Sequence, residues 1–174
     1  LAKGIVKREV IRVITPGLVL EEENLAAGEN NYLAGICTDK NKFGLAFLDI
    51  STGEFQVSEF SDSDSLLLAC AGLEFKELIL PFTFPDKLLV ETLKERMPAG
   101  TINFQANEYF APQSAGPVLD DDFSGILEEA GLKEKPASLR AAAILRYVDE
   151  TQKIRPQHIN KIKWYRPENY LILD

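Results

Sequence analysis

The stretch from Asn30 to Phe60 constrains the fold more than any other. It holds three short apolar runs separated by two turn clusters, Lys40-Asn41-Lys42 and Ser51-Thr52-Gly53. Runs of this length, rich in aromatic and β-branched residues and bounded by Asn, Ser and Gly, predict consecutive antiparallel strands. The third run alternates. Phe55 and Val57 point one way, Gln56 and Ser58 the other, which suits a sheet with one face covered there. The first two runs are apolar at successive positions, which predicts cover on both faces.

The flanking segments supply the rest of a domain. Residues 5–15 read as a mixed strand stopped by Thr15-Pro16-Gly17, and the acidic residues 21–29 read as a linker. After the three strands, Ser61-Asp62-Ser63-Asp64 is rich in N-cap residues. A short buried helix is expected over Leu66–Ala71, ended by Gly72. Glu77-Leu78-Ile79-Leu80 predicts a short buried strand, parallel to its neighbour because a helix precedes it. Phe84-Pro85-Asp86 opens a second helix, with Leu89, Val90, Leu93 and Met97 on one face and Pro98 as its stop. Thr101–Phe104 is a fifth strand. Pro112, Gly116 and Pro117 break the next stretch, and Asp120-Asp121-Asp122 predicts a helix start leading to Ile126-Leu127.

Pro136 opens the last helix, where proline is tolerated. Ala141, Ile144, Leu145 and Val148 form one face; Leu139, Arg140, Ala143, Arg146, Tyr147 and Glu150 form the opposite one. The chain then turns basic and irregular before a final apolar run, Tyr170–Leu173. Three antiparallel strands followed by helix, strand, helix, strand and helix give an α/β, ribonuclease-H-like order. The expected sheet is mixed and five-stranded, flanked by helices.

A length of 174 residues accommodates one domain with extensions, and 45% hydrophobic with 26% charged residues is the balance of a globular protein. No stretch approaches the roughly 20 apolar residues of a membrane span. The N-terminus has bases but no apolar stretch of a signal peptide. The chain opens at Leu1 inside a strand-like pattern, as expected of a piece of a longer protein. Cys37 and Cys70 sit in apolar runs and are expected to be buried reduced thiols of a cytosolic protein. The net charge of −8 is uneven: bases exceed acids in residues 1–16 and 151–167, leaving −14 for residues 17–150. An acidic middle repels phosphate and is a poor grip on nucleic acid.

The residues offer little chemistry. Two-metal nucleases need converging carboxylates, and this fold anchors them on an acid in the middle of its first strand. Tyr32–Cys37 contains none. Asp49 and Glu54 flank a turn, where Asp49 can cap the Ser51-Thr52-Gly53 backbone. That turn has one glycine, and no Gly-x-x-x-x-Gly-Lys-[Ser/Thr] phosphate loop exists. The single histidine, His158, has no Cys or second His near it. No catalytic, cofactor-binding or metal-ligating residue is expected.

Three stretches resemble a known family. Lys3-Gly4-Ile5-Val6-Lys7-Arg8-Glu9-Val10-Ile11-Arg12-Val13-Ile14-Thr15-Pro16-Gly17 resembles the segment closing the mismatch-recognition domain of bacterial MutS proteins. Asn31-Tyr32-Leu33, with Gly44–Phe55, resembles the start of their connector domain. Leu145-Arg146-Tyr147-Val148-Asp149-Glu150-Thr151-Gln152 is similar to the end of that domain's last helix. Leu18 departs from the family's usual Thr after Pro-Gly.

The resemblance implies four parts: residues 1–17 ending the mismatch-recognition domain, 18–29 a linker, 30–152 the connector, and 153–174 leading into the core and lever region. It implies a cytoplasmic, homodimeric DNA mismatch repair parent that binds ATP and Mg in a domain absent here and meets mismatched DNA elsewhere. Phe75-Lys76-Glu77 fits the family's Phe-x-Glu mismatch motif by letters but lies in the wrong domain. For this piece the resemblance implies no enzymatic activity, coupling to other MutS domains, and a surface for MutL. Helix geometry together with the resemblance places that surface at Gln113, Arg146, Tyr147 and Glu150. A purely structural spacer is the alternative; a degenerate metal nuclease is a remoter one.

Overall fold

The computed structural model describes residues 31–97, 100–111, 135–152 and 162–167. Three antiparallel strands come first: β1 (Leu33–Asp39), β2 (Lys42–Asp49) and β3 (Glu54–Phe60). Helix α1 (Ser63–Leu73), β4 (Glu77–Pro81), α2 (Lys87–Arg96) and β5 (Thr101–Gln105) follow, then a 3-10 turn over Asn107–Phe110. Helices α3 (Pro136–Ala141) and α4 (Ile144–Gln152) and a two-residue strand β6 (Lys163–Trp164) complete the described elements. The sheet order is β5-β4-β1-β2-β3-β6. β4 lies parallel to β1 and β5 to β4, as the intervening helices require.

The sheet has six strands rather than the expected five, because β6 adds to β3 in parallel through Gln56↔Lys163 and Val57↔Trp164. A two-residue strand has no alternation to read. It falls in the stretch that the resemblance assigns to the region beyond the connector. The predicted strand of residues 5–15, the linker at 21–29, the Asp120–Asp122 helix start and the run at Tyr170–Leu173 lie outside the described residues.

Both faces of β1 and β2 are covered, as their unbroken apolar runs predict. One face packs Leu33, Ala46, Leu48, Phe55 and Val57 against α3 and α4. The other packs Ile36, Leu45 and Phe47 against α1 and α2, where Leu89, Val90, Leu93 and Met97 are all buried. β3 departs from expectation. Its second face is not open, since Phe60 joins the core under α1 and α2 and Ser58 is buried.

Helix starts follow their capping residues. Asp62 accepts from Ser65 N at 2.7 Å and Asp86 from Leu89 N at 2.9 Å, each satisfying an otherwise orphaned N–H. Helix α1 runs past Gly72. Glu74 takes the left-handed terminating position instead, with φ 51°.

The expected single last helix is two. Ala143 N, Leu145 N and Arg146 N each donate to the carbonyl three residues back, making a tight turn between α3 and α4. The chain crosses β2 closely at the start of α3 and β1 closely beside the break. A Cβ on Gly44 would meet the Ala137 carbonyl and lie 2.6 Å from Ser138 N, and one on Gly35 would lie 3.0 Å from Ala141 O. Glycine in both strands lets α3 settle onto the sheet, and the three buried alanines 141–143 keep the crossing thin.

Candidate protein-interaction surface

Of the four residues assigned to a partner surface, Arg146 and Glu150 stand on the outside of α4, Tyr147 points inward, and Gln113 lies outside the described residues. Arg146 Nε donates to Glu150 Oε1 at 3.0 Å. The Tyr109 hydroxyl, from the 3-10 turn after β5, also donates to Glu150, and the Arg146 guanidinium lies over the Tyr109 ring at 4.9 Å. The result is an exposed ledge of a cation, an anion and an aromatic ring. Tyr109 was not legible beforehand, since it meets Glu150 only through a contact between residues 41 apart.

The ledge contributes little to the domain's own stability. An exposed ion pair four residues apart on a helix is worth about 0.3–0.5 kcal/mol. Arg before Glu is the weaker orientation, and an acid near a helix C-terminus opposes the helix dipole. These side chains are therefore available to a partner at small internal cost.

Tyr147 corrects the sequence assignment. It is buried among Val148, Ile79 and the rest of the core beneath α4. Its hydroxyl donates to Glu77 Oε2 at 3.2 Å, and Asn103 Nδ2 reaches both groups at 3.4 Å. Ala143, placed on the same outer side, is buried too. The turn at Ala142–Ala143 ends the continuous helix from which that side was drawn. Tyr147 thus supplies a hydrogen bond to a buried carboxylate at the start of β4. Tyr147→Phe is expected to lower stability by about 1–3 kcal/mol, visible as a lower denaturation midpoint at unchanged m.

The hydrogen bond to Glu150 is the main reason the Tyr109 phenol is held above its ordinary 10.0; partial burial and the carboxylate's charge add, and Arg146 opposes. The folded state therefore favours the neutral phenol. Its contribution is complete below the ordinary value and fades as pH rises through the raised folded one. Glu150→Ala is expected to move the Tyr109 transition down toward 10, as followed by ultraviolet absorbance between neutral and strongly alkaline pH. Tyr32 is raised as well, first by burial and then by its hydrogen bond to Glu54, and should not respond to that substitution.

Asp49 is bound into its turn. Its carboxylate accepts from Asn31 N at 3.3 Å and Ser51 N at 2.9 Å. Among the described residues, no group of three or more His, Cys, Asp or Glu side chains could hold a metal ion. Cys37 and Cys70 are free and buried, and burial pushes the Cys70 thiol up to about 12. Among the described residues no helix is long and apolar enough to cross a membrane.

Comparison with known proteins matches this framework. A family model described as MutS domain II covers residues 31–160. The chain is 39% identical over 178 residues to a protein of Pelotomaculum thermopropionicum named DNA mismatch repair protein MutS, covering 99% of this chain and 20% of the relative. Proteins of the same name from Desulforapulum autotrophicum and Trichormus variabilis are 38% and 36% identical, again over 99% of this chain and 20% and 21% of theirs. The chain thus spans about a fifth of the length of these relatives. With the family model matched from the start of the meander to beyond α4, the chain belongs to the MutS domain II family.

Proposed function

We propose that this chain is the connector module of a MutS-type DNA mismatch repair protein. In this reading it has no catalysis of its own, transmits mismatch binding to the ATPase domains, and presents a surface to MutL. The observation that carries the reading is the match of MutS domain II to residues 31–160. Mismatch contact, binding of ATP and Mg, homodimerisation and cytoplasmic residence then belong to the parent, of which this chain is a fraction.

Three features support it. The strand order β3-β2-β1-β4-β5, with β2 antiparallel to both its neighbours, supports a ribonuclease-H-like fold. The absence of an acid from Tyr32–Cys37 and the use of the Asp49 carboxylate by backbone N–H groups support a non-catalytic role. The Tyr109–Arg146–Glu150 ledge, exposed and weakly coupled to stability, supports a protein partner.

Exchanging the two charges, Arg146→Glu with Glu150→Arg, keeps an ion pair on α4 while inverting what a partner meets. It is expected to weaken binding to the N-terminal ATPase part of MutL by about tenfold or more, equivalent to roughly 1.4 kcal/mol. Unchanged affinity in a variant with unchanged circular dichroism would remove the ledge from the interface.

A further inference from the structure

We infer that the surface built by the β1–β2 turn and the β4–α2 connection docks an acidic peptide segment of a protein partner, one with an apolar side chain beside its carboxylates. The inference stands independently of the MutL surface, since it uses none of the same residues.

Three lysines meet at one depression of about 430 Å³: Lys40 and Lys42 from the β1–β2 turn and Lys87 from the start of α2. Lys40 and Lys87 form no ion pair among the described residues, and Lys42 donates to the Ser61 hydroxyl at 3.0 Å. The neighbouring acids are already engaged. Asp86 accepts from Leu89 N at 2.9 Å, and Asp39 faces Arg140 at 3.8 Å. The depression is therefore cationic, within a stretch of chain that is otherwise strongly acidic. At physiological salt a charge is felt over about 8 Å, so a short anion meets the lysines while a long one also meets the acids around them.

Apolar surface continues from the depression. Phe43 and Pro85 line it. Phe82 and Leu88, on either side of Pro85 in the chain, are 67% and 78% exposed, the two most exposed large apolar side chains among the described residues. Phe82 is held in place. Its N–H donates to the Gln105 carbonyl at 3.0 Å, Thr83 N to Asn107 Oδ1 at 3.2 Å, and Phe84 N to the Pro81 carbonyl at 3.0 Å. A pinned turn thus keeps an aromatic ring in water, and little ordering cost is left for a partner to meet. Lysines alone would suit a phosphate backbone. Phe82 and Leu88 decide for a peptide, which can bury an apolar side chain against them while its carboxylates face the lysines.

The probe is a fluorescein-labelled peptide of glutamates around one central leucine, titrated with the intact chain and followed by anisotropy. Saturable binding is expected. Lys40→Glu with Lys87→Glu is expected to weaken it about tenfold or more through like-charge contact. Phe82→Ser with Leu88→Ser, at unchanged charge, is expected to weaken it about fivefold through lost apolar burial. All four side chains are exposed, so the variants keep the parental circular dichroism. Lys94→Glu with Lys163→Glu makes the same charge change elsewhere and should bind as the parent does. An equal loss in that control, or no binding of the peptide at low salt, would overturn the inference. Duplex DNA bound as tightly as the peptide, and indifferent to Phe82→Ser with Leu88→Ser, would overturn it in favour of a phosphate backbone.

Discussion

Phe47→Ala is expected to cost about 3–5 kcal/mol of unfolding free energy, a large share of the roughly 5–15 kcal/mol typical of a domain. Phe47 is fully buried on β2. Its ring meets Tyr32 edge-on at 5.0 Å, Tyr165 edge-on at 5.1 Å and Phe75 at 5.9 Å. These rings come from the approach to β1, the segment after β6 and the loop before β4. One side chain therefore joins three chain segments, and truncation leaves a cavity that none of them can fill without moving the others. Edge-to-face rings also add about 0.5–1.5 kcal/mol per pair beyond burial. Urea unfolding should show the midpoint falling at constant m. Phe82→Ala serves as the contrast: Phe82 is 67% exposed, and its loss should stay within about 0.5 kcal/mol.

Gly44→Ala is expected to cost about 3 kcal/mol, at the upper end of the usual overpacking range. The new methyl would run into the backbone of Ala137 and Ser138, not into a side chain that can rotate away. Relief requires lifting α3 from the sheet, which loosens Ser138 Oγ from the Ser58 carbonyl, now 2.7 Å apart. Gly72→Ala is the matched comparison. It lies inside α1 with nothing within 4 Å of the added Cβ, so it should stabilise by about 0.5–1 kcal/mol through helix propensity. The same chemical change is thus expected to move the denaturation midpoint in opposite directions at the two sites.

Much of this fold was legible because its signals are local. The meander announced itself through apolar runs and turn residues, and α2 through the spacing of Leu89, Val90, Leu93 and Met97. The parallel pairing of β4 followed from the helix before it. What escaped depends on contacts between distant segments. β6 is a strand only because Val57 and Gln56 offer it an edge. The turn between α3 and α4 lies against Gly35, about a hundred residues upstream, through Ala141 and Ile144. Tyr147 followed from a helical wheel drawn through that turn, so its burial beside Glu77 was out of reach of periodicity. Arg146 and Glu150 were placed correctly on the outside because a mixed-charge pair at this spacing is rarely buried. Their aromatic companion, Tyr109, arrives from another element.

We propose above that this domain offers MutL a surface of its own. Its most direct test is titration of the intact chain with the N-terminal ATPase part of MutL by calorimetry, at low salt and again at about 0.15 M ionic strength. Saturable binding that weakens as salt rises is expected, because the contacts proposed for the partner, Arg146 and Glu150, are both charged. Absence of binding at both salt concentrations would contradict it and favour a spacer that touches only its own protein.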